Sequence, residues 1–144
     1  MITNEIQTKP VSILLIEDDE VDAMGVERAL RKNKILNKLY RARDGIEALE
    51  LLRTPGGVDH PYIILLDLNM PRMNGLELLE ELRRDPKLTE SVVFVLTTSK
   101  DDEDRTAAYK NHVAGYILKK NVGDGFMELI DMLDRYWRLV ELPQ

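Results

Sequence analysis

The chain has 144 residues, 44% hydrophobic and 32% charged, with 20 basic against 26 acidic side chains and no cysteine. That length leads us to expect one domain without a second catalytic or DNA-binding module, and the composition excludes a disordered or collagen-like chain. The net charge of −6 disfavours sequence-independent nucleic-acid binding, the lack of cysteine excludes disulfides and thiolate sites and suits the cytoplasm, and the apolar runs 63–66 and 92–96 fall far short of the roughly 18 residues of a membrane span.

Residues 1–10 lack the apolar stretch of a secretion signal and read as an N-terminal arm. From residue 12 onward, five short apolar runs alternate with five segments of helical periodicity, a (βα)5 pattern. The predicted strands are 12–16, 38–42, 62–66, 92–96 and 115–118, and the predicted helices are 20–32, 45–52, 75–84, 102–111 and 125–140. The first, third and fourth strands are continuous Ile, Leu and Val runs, as in strands covered on both faces of a parallel sheet. The second, Lys-Leu-Tyr-Arg-Ala, is the least apolar and reads as an edge strand. Residues 54–61, rich in Gly and Pro, read as a surface loop. Right-handed crossovers between parallel strands make a three-layer α/β sandwich the expected architecture.

The chemistry stands at the carboxyl ends of the strands. Glu17, Asp18 and Asp19 follow the first apolar strand directly, and Asp67 follows the third. In an open parallel sheet, ligands bind outside these ends where the strand order reverses, so Glu17, Asp18 and Asp67 converge there if the two strands are neighbours. Clustered carboxylates need a cation or a proton, and a few hard oxygen ligands suit Mg2+ shared with a phosphate. Asp67 is then a candidate carboxylate nucleophile. Thr97, Thr98 and Ser99 end the fourth strand and Lys119 and Lys120 the fifth, placing hydroxyls and ammonium groups where phosphoryl oxygens can be held. Each group also has a simpler reading taken alone: Asp19 as a helix cap with Asp22 three residues on, Thr98 and Ser99 as caps, Lys120 as a solvated lysine. The conjunction on four strands favours a site.

These segments resemble the receiver domains of two-component response regulators. The resemblance rests on 13–19 (Ile-Leu-Leu-Ile-Glu-Asp-Asp), 42–45 (Ala-Arg-Asp-Gly), 65–75 (Leu-Leu-Asp-Leu-Asn-Met-Pro-Arg-Met-Asn-Gly), 95–97 (Val-Leu-Thr) and 115–119 (Gly-Tyr-Ile-Leu-Lys), and spans about 12–135. It implies a doubly wound, flavodoxin-like five-stranded sheet in the order 2-1-3-4-5, with residues 11–144 as one receiver domain that has no attached effector. It implies that Asp67 accepts a phosphoryl group from a phosphohistidine on a sensor histidine kinase or phosphotransfer protein. Glu17 and Asp18 would then form the acidic pair of a Mg2+ site, with Asp18 the direct ligand beside Asp67 and Asn69 adding its backbone carbonyl. Thr97 would be the switch hydroxyl, Tyr116 the aromatic that reports its movement and Lys119 the partner of the phosphate, while Pro71 and Gly75 shape the loop after the acceptor.

Two departures from the family pattern stand out. Lys120 replaces the proline that commonly follows the lysine, often through a cis bond, which before a non-proline residue costs about 3 kcal/mol. Thr98 stands where alanine or another small residue is usual, narrowing access to the phosphoryl group.

Output is expected to leave through the surface. In the last predicted helix Phe126, Leu129, Ile130, Leu133 and Trp137 form a stripe for the sheet, while Met132, Tyr136 and Leu139 widen the apolar arc to about 180°, beyond the ~100° of a core-facing helix. The extra residues pack within the chain or form an interface, and a two-fold dimer through this helix is the preferred reading. The loop before the third strand, 96–100 and 136–143 also resemble the single-domain regulators that partner bacterial and cyanobacterial phytochromes. Two other functions compete: a phosphate-independent adaptor, and a Mg2+-dependent phosphatase of the haloacid dehalogenase type. The latter family places a second aspartate, its general acid, two residues after the nucleophile, where this chain has Asn69.

Overall fold

In the computed structural model the described residues are 11–32, 37–70, 72–98 and 101–118. They form β1 (Ser12–Ile16), α1 (Glu20–Lys32), β2 (Leu39–Ala42), α2 (Gly45–Arg53), β3 (Tyr62–Leu66), α3 (Gly75–Arg84), β4 (Val92–Thr97), α4 (Asp102–Lys110) and β5 (Gly115–Leu118). The strands are all parallel, in the order β2-β1-β3-β4-β5, with β2 at an edge as its weaker apolar pattern predicts. The arm 1–10 and the predicted helix 125–140, with Met132, Tyr136 and Leu139, lie outside the described residues.

Alternation along the buried strands divides the core in two. Leu14, Ile16, Ile64, Leu66, Val93 and Val95 meet Leu78, Leu79 and Leu82 of α3, Ala48 and Leu49 of α2 and Ala108 of α4 on one face. Ile13, Leu15, Ile63, Leu65, Phe94 and Leu96 meet Ala23, Val26 and Leu30 of α1 on the other. Covering both faces is what the uninterrupted apolar runs of β1, β3 and β4 require.

Helix ends explain the one-residue differences from the predicted boundaries. The Asp19 carboxylate accepts from the backbone N–H of Asp22, so the capping reading of Asp19 holds. Asn74 and Glu77 form a reciprocal capping box at the start of α3. The helix predicted to reach residue 111 stops at Lys110: the Asn111 N–H bonds back to Ala107 and Ala108, and His112 enters the left-handed region at φ 59°. Strand β4 runs one residue further than predicted, because Thr97 still pairs with Leu118. The predicted 38–42 strand loses Lys38, although the Lys38 carbonyl still accepts from the Ile13 N–H.

Arg83 ties the amino-terminal edge of the sheet together. Its guanidinium donates to the carbonyls of Thr89, Ser91, Asn111 and His112 at 2.7–3.0 Å, joining α3 to the segments that enter β4 and β5. Burial pulls its pKa down, yet a guanidinium remains charged. Arg83→Ala, which strands several carbonyls at once, is expected to lower stability by about 2 kcal/mol in urea unfolding. Arg83→Lys should recover less than half, because one ammonium cannot span four acceptors.

Candidate functional site

Backbone bonds place the acids before any side chain is considered. The ladder continues one residue past the strand ends: Glu17 N–H donates to the Ala42 carbonyl and Asp67 N–H to the Ile16 carbonyl, both at 3.0 Å. Ile16 lies in register with Leu66, so Glu17 and Asp67 leave neighbouring strands side by side. Carboxylate oxygens of Glu17, Asp18 and Asp67 all lie within 4.8 Å of one another. Glu17 and Asp67 are buried, at 2% and 5% exposure, and Asp18 faces solvent. Two buried acids and one open to water are a donor set that fits a small, partly hydrated divalent cation, since unbalanced carboxylate charge is costly away from water.

Local bonds hold the surrounding loops. Asp19 N–H donates to Glu17 Oε2 at 3.2 Å, and Asn69 N–H donates to Asp67 Oδ1 at 3.2 Å. The Asn69 amide points across to β4, with Nδ2 3.5 Å from Thr97 Oγ1 and 3.4 Å from Thr98 Oγ1. Thr97 is fully buried. Asn69, expected to act through its carbonyl, thus also links Asp67 to the Thr97–Thr98 pair through its amide. Thr98, expected to narrow access, accepts from that amide.

Gly75 lets the loop after Asp67 fold back. Its N–H reaches the Leu68 carbonyl at 3.0 Å, and a Cβ there would lie 2.6 Å from Leu68 Cα and 2.7 Å from the Asp67 carbonyl oxygen. Tyr116 sits on β5 in register with Val95. Its ring centroid is 6.4 Å from that of Tyr109 and 5.2 Å from the Arg105 guanidinium, so it packs towards α4. Pro71, Ser99, Lys119 and Lys120, including the Lys119–Lys120 bond, lie outside the described residues.

Two arrangements escaped the sequence reading. Arg72 Nε donates to buried Asp44 at 2.7 Å, and Gly45 N–H donates to the Met73 carbonyl at 3.1 Å, tying the loop after β3 to the loop after β2. Asp44 also caps α2 by accepting from the Glu47 N–H at 2.9 Å. The local signal for such a cap is an Asp three residues ahead of a Glu, whereas its arginine partner stands 28 residues away. The second arrangement is Arg41, whose guanidinium donates twice to the Glu17 carbonyl and once to Glu20.

With this geometry in hand, residues 13–131 match the response regulator receiver domain, and the chain belongs to that family. It is 37% identical over 139 residues to Response regulator Rcp1 of Synechocystis, covering 93% of this chain and 94% of that protein. Over 130 residues it is 36% identical to the probable methanogenesis regulatory protein FilR2 of Methanothrix harundinacea, covering 89% and 84%. Among solved structures it superposes on the phosphorylated cyanobacterial phytochrome response regulator RcpA with a TM-score of 0.77 at 33% identity, covering 88% and 93%. It superposes on the Mn2+-bound form of Rcp1 with a TM-score of 0.75 at 36% identity, covering 89% and 94%. Among the described residues no helix is long and apolar enough to cross a membrane.

The hydrogen bond from Arg72 holds the Asp44 carboxyl below its usual range, with the Glu47 N–H adding to the effect and burial opposing it. A lowered folded-state pKa gives stability that is present above the unfolded value of about 4 and lost as pH falls through the folded value. Asp44→Asn is therefore expected to be less stable than the parent chain at about pH 7, with the gap narrowing as pH falls below about 4, as followed by urea unfolding over a descending pH series.

Proposed function

We propose that Asp67 is the phosphoacceptor of a signalling receiver and that Glu17, Asp18 and Asp67, with the Asn69 carbonyl, hold Mg2+. The observation that carries this reading is the convergence of three carboxylates within 4.8 Å at the carboxyl ends of β1 and β3. The Mn2+ in the structure of Rcp1 supports a divalent cation at such a site. When bound, Mg2+ offsets the negative charge that accumulates between the carboxylates and an incoming phosphoryl group.

In the proposed reaction an Asp67 carboxylate oxygen attacks the phosphorus of a phosphohistidine. The O–P bond forms and the P–N bond breaks, with the electron pair leaving on the imidazole nitrogen, which takes a proton from solvent. The Asn69 N–H on Asp67 Oδ1 orients the carboxylate. Thr97 supplies a hydroxyl and Lys119 an ammonium to the phosphoryl oxygens, and Tyr116 follows Thr97 on the α4 side. The product is a shifted conformational equilibrium, and the reaction is the receiver's own phosphorylation and its reversal.

The donor is a sensor histidine kinase or phosphotransfer protein, and we extend the reading to a phytochrome-type kinase. RcpA, described as a phytochrome response regulator, supports that extension. In the same reading residues 11–144 form one cytoplasmic receiver domain behind the arm 1–10. Its output includes a homodimer through the last helix, with Met132, Tyr136 and Leu139 at the interface.

Incubation with a small phosphodonor and Mg2+ is expected to yield an acid-stable, base-labile adduct on the parent chain and none on Asp67→Asn. No adduct on the parent, or an equal one on the variant, overturns the assignment. Sedimentation at micromolar concentration is expected to give a dimer mass for the chain carrying a phosphoryl mimic. A monomer mass with and without the mimic overturns the dimer.

A further inference from the structure

Arg41 stands on the edge strand β2, in register with Leu15 of β1, and its side chain is only 24% exposed. Its Nε and Nη2 donate to the main-chain carbonyl of Glu17 at 3.1 and 2.8 Å, and its Nη1 donates to Glu20 Oε1 at 2.7 Å. Arg43 adds a second guanidinium on the same Glu20 oxygen at 3.2 Å. The carbonyl that Arg41 holds belongs to the peptide bond joining Glu17 to Asp18, so two donors of one rigid planar fork converge on the link between two acids of the site.

We propose that Arg41 is a positioning residue for the cation site, fixing the Glu17–Asp18 peptide so that the carboxylates of Glu17, Asp18 and Asp67 stay gathered against their mutual repulsion. The proposal rests on reading those acids as the Mg2+ site. Three carboxylates within 4.8 Å push one another apart, and the turn after β1 is where they can separate. Asp67 is anchored on β3 and the Glu17 N–H on β2, while the next peptide is gripped by Arg41. A site gathered in advance spends less of the cation's binding energy on ordering the loop.

Removing Arg41 has two opposed effects. Loss of a nearby positive charge favours cation binding, and loss of the clamp disfavours it. Glu20, 2.7 Å from the guanidinium, already screens most of that charge from the triad. The clamp is not compensated in this way, so its loss dominates.

The test is Mg2+ titration of the full chain by calorimetry, with urea unfolding in the absence of Mg2+ to confirm that each variant is folded. Arg41→Gln is expected to weaken Mg2+ about tenfold, at the lower end of the loss seen when a group that orients a metal ligand is removed. Arg41→Lys should restore no more than half of that loss on a logarithmic scale, because an ammonium cannot give two aligned bonds to one carbonyl and a third to Glu20. Glu20→Gln, which leaves both bonds to the Glu17 carbonyl in place, should change the affinity less than Arg41→Gln does. Folded Arg41→Gln or Arg41→Lys that binds Mg2+ as tightly as the parent, or more tightly, overturns the positioning role. A folded parent chain that does not bind Mg2+ at all overturns the metal-site reading, and the role of Arg41 with it.

Discussion

Mutual repulsion among Glu17, Asp18 and Asp67 is the constraint that organises this end of the molecule. Parallel pairing of β1 with β3 makes it unavoidable, because the Ile16–Leu66 register delivers Glu17 and Asp67 to adjacent positions. Both are buried, so water cannot screen them as it screens Asp18. A sheet that needed only stability would end its central strands in other residues.

The neighbouring structure contains that repulsion through backbone. Glu17 and Asp67 are each held to the next strand by a main-chain bond, and Asn69 and Asp19 turn their N–H groups onto the carboxylates. The loops behind them are tied by cross-links of high geometric specificity: Arg72 on Asp44, and Arg41 on the Glu17 carbonyl. Both arginines hold the segments next to the three acids, one through Asp44 and the other through the Glu17 carbonyl.

How much of this was legible in the sequence depends on the range of the interaction. The strands announced themselves through runs such as Tyr62–Leu66, and β2 through the polar residues that mark it as an edge. The acids were legible because position alone, directly after an apolar strand, sends them to the ligand-binding edge of a parallel sheet. A local cap was legible too, at Asp19, where donor and acceptor lie three residues apart. Contacts between loops were not. Nothing in the spacing of Arg41 and Arg43 reveals that Arg41 turns towards α1 and meets a carbonyl 24 residues away. The side-chain role of Asn69 was hidden for the same reason, since its two threonine partners sit at and just past the end of another strand.

The two edges of the sheet carry different burdens, and this separation is itself a physical consequence of the parallel fold. All strands run the same way, so every acid, hydroxyl and tether of the site gathers at the carboxyl edge, while the segments entering β4 and β5 gather at the amino edge, under Arg83. Five residues of strand, roughly 16 Å, lie between them. At that distance, without a shared partner, perturbations add independently. Core layers on both faces of the sheet join the two edges into one packed body. A chain that stores charge repulsion at one end therefore has reason to keep a cross-link to uncharged carbonyls, the four-carbonyl grip of Arg83, at the other.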